Sequence, residues 1–169
     1  SFEIQQNRYQ STPANAQDTA ITVIDLTADI PSKTRFQSTI NLEYANNRRR
    51  NAHLVFAYQD ADNYKFAGLN AESRRWVISE VVDGQTRELR RSNVNPTQNK
   101  NYQLELVIDG SQATLSVDGV TKVANTFSGN LNVGKFGLLA DGANSRFDNV
   151  HISEIFPVPL SEQDVAETV

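Results

Sequence analysis

Cysteine and methionine are both missing from the 169 residues, tryptophan occurs once and histidine twice. The lack of cysteine removes disulfides, thiolate metal sites and thiol nucleophiles together, and leaves the redox compartment open. Methionine is missing even at position 1, so the expectation is a processed or excised segment of a longer polypeptide, and no inference about targeting rests on the lack of a leader. Long apolar runs are missing too. The longest extend over about five residues, against the ~20 of a membrane-spanning helix, which argues against membrane insertion. A surplus of positive charge is also lacking: the formal net charge is −4, which gives no overall attraction to nucleic acid or to an anionic membrane. Finally, no segment carries a sustained apolar stripe of period 3.6, so a helical domain or a βαβ dinucleotide fold has no support.

What is present is alternation. In 102–110, Tyr102, Leu104, Leu106 and Ile108 share one side at period two, and in 111–119 Ala113, Leu115 and Val117 do the same. Each of these segments closes on an Asp-Gly pair suited to turns with positive φ. The alternating runs 36–44 and 52–58 add two strands, separated by the polar tip 45–51 with Arg48, Arg49 and Arg50. Further short strands are expected near 19–26, 64–69, 76–82, 87–91, 121–127, 135–139 and 146–153. About a dozen short strands with regularly spaced turn signals predict an all-β, two-sheet antiparallel sandwich or a barrel. With 38% hydrophobic residues in 169, the chain suffices for one core and one domain. Residues 10–18 read as a long loop. Beyond Ile155 the chain is proline-marked, acidic and without alternation, so 1–155 is expected as the domain and 156–169 as an extended interdomain linker.

Several pieces occur together in a telling order: Phe2-Glu-Ile near the start, Asn51-Ala-His-Leu-Val-Phe-Ala-Tyr-Gln-Asp60, Asn63-Tyr-Lys-Phe-Ala-Gly68, Leu115-Ser-Val-Asp-Gly119 and Arg146-Phe-Asp-Asn-Val150. In this, residues 1–155 resemble a concanavalin A-like (laminin G-like) jelly-roll module of large bacterial surface or secreted, adhesin-type proteins. The resemblance implies two antiparallel sheets packed face to face, a curved sheet whose concave side or rim takes ligands, usually glycans, and frequent structural calcium. It implies an extracellular or cell-surface setting, with neighbouring domains of the same polypeptide as partners. The fold alone does not give the function.

Catalysis finds little support in the residues. Retaining glucanases on this fold resemble one another in a Glu-x-Asp-x-Glu strand that points two carboxylates into one groove about 5–5.5 Å apart, and this chain has no such strand. Gly-x-Ser-x-Gly is missing as well. His53 and His151 fall in separate strands without a ligand-spaced partner, which disfavours zinc.

For calcium, Glu3 and Asp148 would become neighbours if the terminal strands pair, supplying hard oxygen ligands; the competing reading has Asp148 bonded to backbone N–H groups or to an arginine. For sugars, the candidates are Trp76, Tyr58 and Tyr64 as stacking surfaces and Arg74, Arg75 and Arg87 as planar donors brought together by a hairpin around Asp83-Gly84. The competing reading, and the commoner one for a lone tryptophan, has Trp76 in the core, since apolar residues flank it on both faces of its strand, and the usual fate of such arginines is solvated edge protection. The expectation is a non-catalytic, lectin-like module, with a structural spacer or docking domain as the alternative and a glycoside hydrolase-like enzyme as a distant third.

Overall fold

The computed structural model describes residues 3–11, 19–42, 51–141 and 145–157. They form twelve strands and, among the described residues, no helix: β1 (Glu3–Ser11), β2 (Thr19–Ile24), β3 (Lys33–Leu42), β4 (Asn51–Asp60), β5 (Asn63–Asn70), β6 (Arg75–Val82), β7 (Gln85–Asn93), β8 (Asn101–Asp109), β9 (Gln112–Val117), β10 (Val120–Thr126), β11 (Lys135–Asp141) and β12 (Ser145–Glu154). Six make a first sheet in the order β1-β12-β3-β8-β9-β10 and six a second in the order β2-β11-β4-β5-β6-β7. Every pairing is antiparallel. The expected all-β, two-sheet antiparallel sandwich is therefore the architecture found. The expected linker covers 156–169, of which 158–169, like the tip arginines 48–50, lie outside the described residues.

The alternation turns directly into layers. Tyr102, Leu104, Leu106 and Ile108 of β8 are buried while the residues between them face out. Phe36 of β3 meets Phe136 of β11 edge to face at 5.2 Å between ring centroids, joining the two sheets across the core. Two of the tight turns have consecutive positive φ at Asp83-Gly84 and at Asp118-Gly119, the conformation that two-residue hairpins need and that glycine adopts without Cβ strain.

The second sheet has apolar residues on both faces. Ala52, Leu54 and Phe56 of β4 join the core between the sheets, whereas Val55 belongs to a separate cluster with Tyr64, Val81 and Leu139, against which Ile21, Tyr58 and Phe66 pack. This second cluster lies on the outer face. The register confirms it: Ile21, Leu139, His53, Gly68, Val77 and Arg91 line up strand by strand across the sheet, as do Val23, Gly137, Val55, Phe66, Ser79 and Glu88. Two bulges adjust this pattern. Ala57, at φ 48°, turns toward the core and returns Tyr58 to the outer face. Leu89 is the extra residue of β7 between Glu88, opposite Ser79, and Arg90, opposite Ile78.

Candidate functional site

The outer face of the second sheet carries an aromatic run. Tyr58 and Tyr64 have ring centroids 5.9 Å apart, Tyr64 and Phe66 6.1 Å, and the His53 imidazole meets Phe66 edge to face at 4.8 Å. The strands place them: Tyr64 and Phe66 alternate along β5, and His53 lies directly opposite Gly68 on β4. A Cβ on Gly68 would sit 2.3 Å from the Ala52 carbonyl oxygen and 2.7 Å from the His53 Cα, so only glycine allows this close approach. His53 is 3% exposed, and neither ring nitrogen has a hydrogen-bond partner among the described residues. Its burial pushes the pKa down from 6.5 to about 3, so the ring is neutral across the physiological range. The Tyr64 hydroxyl is pushed up, chiefly by burial, then by Tyr58 and by the Asp141 carboxylate.

Polar groups stand at both sides of the aromatic run. On the β4–β11 side, the Asn51 side-chain amide donates to an Asp141 carboxylate oxygen at 3.1 Å, and its side-chain oxygen accepts the Ala71 N–H at 3.1 Å. On the β6–β7 side, Arg75 Nη1 and Arg91 Nη1 both donate to Glu88 Oε1, at 3.4 and 3.3 Å. This arrangement places one carboxylate between two guanidiniums, with Asn70 and Asn93 flanking Arg75 in the same row.

The sequence candidates separate on this geometry. Tyr58, Tyr64 and Arg75 share the outer face. Trp76 does not: it is 2% exposed, points between the sheets and meets Tyr102 edge to face at 5.4 Å, so the platform role is corrected to a core role. Arg87 also belongs to the other side of its strand, opposite Glu80, with which it forms an ion pair beside an open recess of about 390 Å³ lined by Glu80, Val82, Gln85, Thr86 and Arg87. Arg74 lies in the turn before β6 at φ 56°, exposed, with its N–H donating to the Ala71 carbonyl and its own carbonyl accepting from Val94. It is not part of the face. The arginines thus do not converge as one group; Arg75 converges with Arg91 alone. Sequence reasoning reaches Arg91 only as one of the arginine series Arg74, Arg75, Arg87, Arg90 and Arg91, and does not single out Phe66, Glu88 or Asn51 for this site, although Tyr64 and Phe66 at i, i+2 give a signal for one shared face.

The terminal strands do pair, but their register sets Glu3 opposite Ser153 and Asp148 opposite Arg8. Five positions along a strand is about 17 Å, too far for the two carboxylates to share one cation. Asp148 instead accepts from Arg146 Nε at 2.9 Å. The pair does not fit a calcium site. Among the described residues no group of three or more acidic, histidine or cysteine side chains is placed to hold a metal.

No family model and no curated protein sequence matches the chain. Solved structures do. The carbohydrate-binding module CBM66 from Bacillus subtilis superposes with a TM-score of 0.72 at 18% identity, over 89% of this chain and 95% of the module. The galectin LEC-6 of Caenorhabditis elegans gives 0.63 at 15% identity, over 88% of this chain and 96% of the galectin. A fructosyltransferase from A. japonicus gives 0.65 at 11% identity, over 92% of this chain but only 26% of the enzyme. The fold is the jelly-roll sandwich. At these identities the likeness is one of fold.

Proposed function

We propose that this chain is a non-catalytic carbohydrate-binding module, and that the outer face of the second sheet is its ligand surface. The observation that carries this reading is the presence, on one face of one sheet, of the Tyr58, Tyr64 and Phe66 rings beside the Asn51–Asp141 and Arg75–Glu88–Arg91 groups. Aromatic rings stack on the apolar side of a sugar ring, and planar polar side chains bond its hydroxyls. The CBM66 and galectin folds support the same reading by analogy. We place the module outside the cell, within a larger bacterial surface or adhesin-type polypeptide.

A hydrolase is disfavoured on distance. Asp141 on β11 and Glu88 on β7 are four strand spacings apart in the sheet, about 19 Å, against the roughly 5–9.5 Å that either glycosidase stereochemistry uses. A spacer or docking domain is the second reading, favoured by the burial of His53, Val55 and Leu139, and also of Asn51 and Tyr64, on the same face. A glycan-array screen in calcium and again in chelator separates the two. Reproducible hits are expected, and equal hits in chelator would remove calcium from the binding reaction; a blank array in both conditions would transfer the assignment to the spacer.

A further inference from the structure

We infer that the β6–β7 side of this face selects an uncharged sugar and reads it through neighbouring hydroxyls at the Arg75–Glu88–Arg91 group. The inference rests on the glycan-binding reading and adds the class of ligand. A cluster of arginines read from sequence suits carboxylated or sulfated glycans. In the β6–β7 hairpin the arginines are not free for such a ligand: Arg75 and Arg91 share Glu88 on the outer face, and Arg87 pairs with Glu80 on the inner.

Charge and geometry agree. On the outer face Glu88 is bonded to both guanidiniums and offsets part of their charge, and the neutral His53 ring adds none near neutral pH. Glu88 Oε1 accepts from both arginines, while Oε2 takes part in neither contact. The edge offered to a ligand is therefore donor, acceptor, donor. A hydroxyl both donates and accepts, so adjacent sugar hydroxyls satisfy carboxylate and guanidinium together, whereas a sulfate or carboxylate only accepts and is set against the Glu88 charge. The side chains of Arg75, Glu88 and Arg91 are 33%, 30% and 61% exposed, so they are reachable yet partly held. In the row Phe66, Ser79, Glu88, the short side chain of Ser79 separates a ring from a carboxylate two strand spacings apart, about 9–10 Å. One sugar ring spans that gap.

The test is affinity electrophoresis through dextran, galactan and a fructan, and through dextran sulfate and polygalacturonate, at low and high salt, with wild type and Glu88→Gln. The wild type is expected to be retarded by an uncharged polymer with little salt dependence and not by the anionic ones. Glu88→Gln is expected to weaken that binding about tenfold or more and to gain salt-sensitive retention by dextran sulfate. Stronger wild-type binding to the anionic polymers, fading with salt, would overturn the inference while leaving the glycan reading standing. No retention by any polymer, together with a blank array, would remove both. Unchanged binding by Glu88→Gln and by Arg91→Gln at unchanged Tm would show that this group is not the reader. Both sites are on an exposed edge strand, so the variants are expected to fold.

Discussion

The two outer faces of the sandwich are built on opposite plans. On the first sheet, polar side chains are engaged with one another across strands: Asn41 with Asn101 at 2.7 Å, Gln37 with Glu105 at 2.9 Å, Arg35 with Glu105 at 3.1 Å and Lys33 with Asp109 at 3.2 Å. No Phe, Tyr or Trp appears among the described side chains of that face. On the second sheet, an aromatic run and an apolar cluster lie between polar groups at the two sides. The histidines show the same contrast. His151 on the first sheet faces the Gln37 side-chain oxygen at 3.5 Å, whereas His53 on the second is buried with neither nitrogen paired. A face closed by its own hydrogen bonds is stable in water without a ligand; a face with rings set between polar groups has the composition of a contact surface.

Acid tests this contrast most strongly. The His53 pKa is about 3 in the folded state against an ordinary value of 6.5, so below pH 6.5 the unfolded chain takes up a proton that the folded one refuses. The stability from this group is complete above pH 6.5 and is lost as the pH falls toward 3, at about 1.4 kcal/mol per pH unit. Urea titrations across that window should show the slope, and His53→Leu should lose it, while His151→Gln should leave it in place. An equal slope in His53→Leu would mean that the ring is solvated.

Ligand binding divides the faces next. Tyr64→Ala is expected to weaken binding to a polysaccharide found by the array by about tenfold or more, and Asn101→Ala on the opposite face to leave it unchanged. Isothermal titration reads both; the reverse result would transfer the site to the first sheet. The smallest effect belongs to Lys33→Ala. Its ion pair with Asp109 joins two side chains about half exposed, and its loss should change unfolding stability by no more than ~1 kcal/mol, less still at high salt.

Much of this was legible in the sequence. Period-two alternation marked β3, β8 and β9 of the first sheet, because those strands are buried on one face only, and Asp83-Gly84 and Asp118-Gly119 marked turns in the two sheets; β1 was not read as a strand from alternation. The second sheet was harder for a physical reason. β4 and β6 are covered on both sides, so apolar residues run continuously and alternation does not say which way Trp76 points. The bulges hid the site further. Glu88 and Arg91 are three apart and would face opposite ways in a regular strand; Leu89, inserted between them, brings both to the outer face. The register of the terminal strands was also beyond reach, and it separates Glu3 from Asp148.

The double burial of β4 has a consequence for how the face meets a ligand. His53 and Val55, which form its floor, and Asn51 beside them belong to a central strand flanked by β11 and β5, whose local opening would approach global unfolding. Arg91 and Glu88 belong to β7 at the edge of the sheet, where local opening is easiest. Association therefore orders little of the floor, and its entropic cost is concentrated in one hairpin. Stiffening the edge strand, rather than adding contacts at the centre, is the route by which such a module would gain affinity.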